Sequence, residues 1–181
     1  MSKLIRTDTE YSEWIQELKE RYRTGQIKAA AKVNREMLRF YWSVGRDIVA
    51  RDAENVYGSS FYKHLSQDLK DAIPKSDGFS RQNLQYMKKM YLLYNKANEN
   101  CQQVVGISEN EPNEILFSIP WGHHCILVDK YFEIKDTKTA LFYINKTVEE
   151  GWSRNVLKSF IETNLHLFIT SIEDIEFELK E

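Results

Sequence analysis

The chain is poor in the residues that interrupt regular structure. Its 181 residues include only three prolines and seven glycines, too few for an all-β protein, which needs turn residues about every ten positions. Cysteine is nearly absent as well. Cys101 and Cys125 follow no metal-binding or redox spacing, so a reducing cytoplasm is the simpler setting and a single disulfide the alternative. No apolar run reaches transmembrane length, and Met1–Ile5 lacks the make-up of a signal peptide. Neither sign of charge dominates: 25 Lys and Arg oppose 27 Asp and Glu, for a net charge of −2. Bulk charge therefore cannot draw this chain to nucleic acid, and any such site must come from local segregation of charge.

What is present is helical periodicity and ample core material, 42% hydrophobic with 13% aromatic. Thr9–Arg23 carries Tyr11, Trp14, Ile15, Leu18 and Tyr22 at helical spacing, with Gly25 as its expected stop. Ala29–Asp52 carries the stripe Val33, Met37, Tyr41, Val44 and Ile48, with Gly45 placed to allow a close helix crossing. Ser60–Ala72 ends at Ile73-Pro74, because proline removes a donor and disfavours helix in the residue before it. Arg81–Lys96, Trp121–Lys130, Thr137–Glu150 and Arg154–Phe168 complete the helices. Residues 96–113 read as a flexible loop, being polar and without periodicity. The acidic tail 169–181 alternates and reads as either a terminal strand or a fraying helix. The expected fold is thus all-α, a multi-helix bundle with a separate N-terminal helix (1–28) packing on a module over 29–168.

One phrase occurs twice: G-F-S-R-Q-N-L at Gly78–Leu84 and G-W-S-R-N-V-L at Gly151–Leu157. Ser is a favoured N-cap, since its hydroxyl accepts an unpaired N–H of the first helical turn. Phe79 and Trp152 then stand before the caps of Ser80 and Ser153, with Leu84 and Leu157 at the matching staple positions. Gly78 and Gly151 fit left-handed residues closing the preceding helices. Both phrases read as the turn of a helix-turn-helix-like pair.

Few residues are arranged for chemistry. Adjacent His123-His124 would point about 100° apart on a helix and could not share a metal as an i, i+4 pair can. Glu17-Leu18-Lys19, Asp68-Leu69-Lys70, Glu133-Ile134-Lys135 and Glu178-Leu179-Lys180 match the short acidic-x-Lys pattern of metal-dependent nucleases. The first two lie in expected helices, where i and i+2 side chains face apart. Glu133 follows Asp129 too closely to span two strands, and the last triplet sits in the tail. Solvated charge explains all four, and neither a metal nor a cofactor is expected. Charge does segregate between Phe79 and Lys96, which holds Arg81, Lys88, Lys89 and Lys96 without an acid. Arg81, Gln85, Lys88, Lys89 and Lys96 share one helical face, opposite Leu84, Met87, Tyr91 and Tyr94. Lysines neutralise phosphates, while Arg and Gln also reach base edges, so this face is the candidate nucleic-acid contact. An ordinary solvated face is the alternative. In the second pair Arg154 and Lys158 are balanced by Glu149, Glu150 and Glu162, and it reads as structural.

These phrases carry a resemblance. Asn34–Ile48 (N-R-E-M-L-R-F-Y-W-S-V-G-R-D-I), Y-G-S-S-F, L-S-Q-D-L and G-F-S-R-Q-N-L-Q-Y-M resemble the YhcG-type N-terminal domain. So do I-P-W-G-H-H-C-I-L-V-D-K at Ile119–Lys130 and Y-I-N-K-T-V-E-E-G-W-S-R-N-V-L at Tyr143–Leu157. That domain is a helical module of bacterial proteins grouped with the PD-(D/E)xK nucleases. The resemblance implies a DNA-binding module ahead of a nuclease domain. The chain ends shortly after the matching stretch, so no catalytic residue of such a domain carries over to it. The expectation is a non-enzymatic module for double-stranded DNA. The competing expectation is a protein-interaction module docking to a nuclease or restriction–modification partner. The sequence sets no oligomeric state.

Overall fold

The computed structural model describes residues 9–74, 76–101 and 113–169, with 96–101 described by backbone alone. Among these residues the protein is all-α, without a strand. In chain order come α1 (Thr9–Ala50), α2 (Ala53–Tyr57), α3 (Phe61–Ala72) and α4 (Arg81–Cys101). A 3₁₀ turn (Glu114–Ser118) follows, then α5 (Trp121–Tyr131), α6 (Thr137–Glu150) and α7 (Arg154–Glu162). The tail beyond residue 169 lies outside the described residues, so its expected strand or helix does too.

α4 is the axis of the bundle. Leu84, Met87, Met90, Leu93 and Tyr94 are buried along it, with α1, α3, α5 and α6 packed around it. α1 contributes Leu38, Tyr41, Trp42 and Ile48 to the same core. The two helices approach closely at Gly45, where an added Cβ would collide with the Met87 carbonyl oxygen. The crossing expected at Gly45 is therefore real, and it is with α4. The 3₁₀ turn, which periodicity did not signal, starts from Asn113, whose side chain accepts from the Ile115 N–H at 3.1 Å. It buries Leu116 and Phe117 beside α1. Asp136 caps α6 by accepting from the Thr139 N–H at 3.0 Å, and the Tyr143 hydroxyl donates to the Phe160 carbonyl at 3.0 Å, tying α6 to α7.

Four expectations are corrected. Gly25 does not end a helix: α1 runs unbroken through it. One glycine costs a helix about 1 kcal/mol, which the flanking helix formers, Lys28 and Ala29–Ala31 among them, offset. Of the separate N-terminal helix expected over 1–28, the described residues, from Thr9 on, are the first half of α1. It does not pack on the module, for the described residues up to Val33 are exposed apart from half-buried Leu18. α4 continues to Cys101, past the expected loop start, because no Gly or Pro stops it before Gly106; residues 102–112 of that loop lie outside the described residues. α7 ends at Glu162 rather than Phe168, since Asn164 takes a positive φ of 53° before helix resumes over 165–169.

Candidate nucleic-acid interface

The repeated phrase builds two equivalent helix starts. The Ser80 hydroxyl accepts from the Asn83 N–H at 3.1 Å, and the Ser153 hydroxyl accepts from the Val156 N–H at 3.4 Å. Phe79 and Leu84 are buried in the core, as is Leu157, while Trp152 is half-buried with its ring 4.5 Å from that of Phe160. Gly151 closes α6 in the left-handed conformation, at φ 65° and ψ 37°. Gly78 does not; its φ is not positive. Glycine leaves room there for the Tyr41 hydroxyl, which would stand 2.7 Å from a Cβ and have to shift.

Each phrase leaves an arginine on the first residue of its helix, Arg81 on α4 and Arg154 on α7, and both are exposed. The Pro120–His124 segment joins the two starts. Trp121 Nε1–H donates to the Asn83 side chain at 3.4 Å, and its ring lies 4.9 Å from that of Tyr41. Gly122 abuts Arg154, whose Cδ is 3.6 Å from where a Cβ on that glycine would stand. His123 Nε2–H donates to the Trp152 carbonyl at 2.9 Å, and His124 Nε2–H to the Leu116 carbonyl at 2.7 Å. Both histidines are buried, so the pair packs and braces the fold rather than facing solvent. The start of α5 therefore touches the starts of both α4 and α7. The partial positive charges of these starts, with an exposed guanidinium group on α4 and on α7, make this part of the surface receptive to anions.

The rest of the α4 face differs from an open row of cations. Gln85, Lys88 and Lys89 are half-buried; from Arg81 to Asn95 only Arg81 and Gln82 are exposed. Lys88 pairs with Glu54 of α2 at 2.8 Å, and the Tyr62 hydroxyl donates to the same carboxylate. The Lys88 hydrogen bond, then that of Tyr62, holds the Glu54 carboxyl below its ordinary range. Lys89 pairs with Glu133 at 3.4 Å and lies over the Phe132 ring, 5.0 Å from its centroid. The Lys96 side chain lies outside the described residues.

Sequence reasoning passed over Arg154 and its surroundings. Of the acids expected to balance Arg154 and Lys158, Glu162 does pair with Lys158, at 3.8 Å, while Glu149 pairs with Lys146 at 2.8 Å. An open groove of about 580 Å³ between α5 and α7 is lined by Lys130, Arg154, Asn155 and Lys158 together with Asp129 and Glu162. The signal that could have found it is the repeat itself, which sets Arg154 where Arg81 stands in the first copy. Among the described residues, groups suited to covalent or metal chemistry are not gathered. Burial and the nearby Asp129 push the Cys125 thiol up to about 11, which makes it a poor nucleophile. Among the described residues no three His, Cys, Asp or Glu side chains cluster as metal ligands would. Glu17 and Asp68 lie within α1 and α3, and Glu133 within the turn after α5.

No helix among the described residues is long and apolar enough to cross a membrane. Neither the curated proteins nor the solved structures contain a significant match to the chain. The family model of the DUF1016 N-terminal domain matches residues 17–167, which takes in both phrases, the Pro120–His124 brace and most of α1. The chain belongs to the DUF1016 N-terminal domain family, the same family as the YhcG-type N-terminal domain.

Proposed function

We propose that this chain is a non-catalytic module that binds double-stranded DNA. The observation that supports this most is that the α4 and α7 starts, each with a serine cap and an exposed arginine, both touch the start of α5 at Trp121–His123. Each of the two starts offers a phosphate one guanidinium group and the N–H end of a helix, with exposed Gln82 and Asn155 beside them as further polar contacts. Lys88 and Lys89 contribute by exchanging Glu54 and Glu133 for phosphate oxygens. These are partly exposed ion pairs, each of which holds its lysine by about 1 kcal/mol or less. The net charge of −2 keeps the rest of the surface from adding to the attraction.

The test is an anisotropy titration of a mixed-sequence duplex at low and moderate salt. Affinity should fall steeply with salt. Arg81→Glu with Arg154→Glu should weaken binding at least tenfold and flatten the log–log slope by about two units, roughly one for each phosphate that is no longer neutralised. Both side chains are exposed, so the variant should melt like the parent. Binding that ignores this pair, or no binding at low salt, overturns the reading. The second reading, a protein-interaction module docking to a nuclease or restriction–modification partner, draws on the exposed apolar side chains of α1. Indifference to DNA together with co-purification of such a partner would establish it.

A further inference from the structure

The near-neutral charge of the whole chain conceals a local excess on α1. From Arg21 to Arg46 the helix carries seven cations and a single acid, Glu36. At about 100° per residue, Arg21, Lys28, Lys32, Arg35, Arg39 and Arg46 fall within about 30° of one line along its surface. They take every position on that line between its two ends, so neither an apolar nor an acidic side chain interrupts it. All six are exposed, and Arg23 alone lies off the line. Thr24, Gly25 and Ala31 beside it are small, and nothing lies within 4 Å of the Cβ position of Gly25.

The line stands about 100° round the helix from Leu38 and Gly45, which face the core. α1 meets Phe79 and Trp121, at the starts of α4 and α5, through Phe40 and Tyr41, which lie still further round from the line. Three of the cations pair with exposed carboxylates: Arg21 with Glu17 at 3.7 Å, Arg39 with Glu114 at 2.7 Å and Arg46 with Asp47 at 3.4 Å. Such pairs are weak and give way readily to phosphate. Lys28, Lys32 and Arg35, in the middle, form no ion pair among the described residues.

From this uninterrupted line we propose that α1 binds single-stranded nucleic acid along its phosphodiester backbone, from Arg21 to Arg46. Contacts to phosphate alone carry no preference for base sequence. The line is about 37 Å long at 1.5 Å per residue. That is about one turn of a duplex, over which each strand winds round the axis and crosses a line laid along it once. Most of the six cations would then face a groove. A single strand can straighten to follow the line and set a phosphate at each cation. Four of the six are arginines, whose planar fork matches phosphate oxygens. An acidic polypeptide would gain only exposed ion pairs there, each worth little, whereas every phosphate neutralised releases condensed counterions. The line includes neither Arg81 nor Arg154, so the proposal stands apart from the duplex reading.

Anisotropy titrations of the full chain with an oligothymidylate long enough to span the line test the proposal. The strand should bind with a log–log salt slope of about −4, roughly 0.7 for each of six phosphates. Lys28→Glu with Lys32→Glu and Arg35→Glu should weaken binding at least tenfold and flatten the slope by about two units. The thermal midpoint of this variant should stay that of the parent, since its side chains are exposed. Lys32→Glu alone should weaken binding measurably, while Arg23→Glu, off the line, should leave it nearly unchanged. No binding at low salt overturns the proposal, as does a triple variant that binds like the parent. Equal losses in Arg23→Glu and Lys32→Glu would reduce the line to bulk charge and overturn it too. Polyglutamate that displaces the strand at equal charge would put an acidic protein in its place. A duplex that loses as much affinity as the strand in the triple variant would give the line to double-stranded DNA instead.

Discussion

At the scale of single residues, His124 shows how a polar group is used as a core residue. Its ring is fully enclosed, edge-on to Tyr94 at 5.7 Å between centroids, with Nε2–H committed to the Leu116 carbonyl. Burial pushes its pKa down from 6.5 to about 4, against the smaller opposing effect of that hydrogen bond. The unfolded chain takes up a proton near pH 6.5 and the folded chain only near 4, so between these values the unfolded state binds more protons. Stability from this group is complete above pH 6.5 and falls as pH drops through that window, by roughly 3 kcal/mol in all. His124→Gln keeps an N–H donor for the carbonyl but cannot titrate. Urea midpoints followed from pH 7 to pH 4 should fall more steeply for the parent than for this variant. Parallel curves would mean that the ring is protonated in the fold without penalty.

At the scale of elements, two glycines of α1 make opposite predictions. Gly45→Ala drives a Cβ into the Met87 carbonyl, which is backbone and cannot rotate away. The α1–α4 crossing must then open, and the thermal midpoint should fall by an amount equivalent to about 3 kcal/mol. Gly25→Ala meets nothing within 4 Å and should stabilise α1 by up to ~1 kcal/mol. Equal effects of the two would show that α1 and α4 do not touch where the structure places them. The contrast also marks what local sequence can reveal. The bounds of α3, α5 and α6 were legible to within a residue, because caps, Pro74 and Gly151 act locally. Gly25 was misread because whether one glycine ends a helix depends on the propensity of the whole run. At the candidate site the phrase geometry and exposed Arg81 were legible. The partners of Lys88 and Lys89 were not: Glu54 and Glu133 come from other elements, and helical spacing carries no trace of them. Arg154 was marked by the repeat, but its place beside Gly122 was not legible, since it arises only when α5 and α7 pack.

At the scale of the whole molecule, stability must be distributed unevenly along its longest helix. From Leu38 to Ile48, α1 is held by the core, and those amides should exchange with solvent only when the bundle unfolds. From Tyr11 to Ala29 no described residue packs on it, and isolated helices are marginal in water even at lengths of about 15 residues. The amides there should therefore open locally, without unfolding of the bundle. Hydrogen exchange followed by mass spectrometry checks this along the one helix. Peptides from Tyr11 to Ala29 should exchange fast, while those spanning Leu38–Ile48 should keep their protection until the bundle unfolds. Equal protection of the two halves would show that the exposed side chains of the first half are covered in solution, and that the helix is held along its whole length.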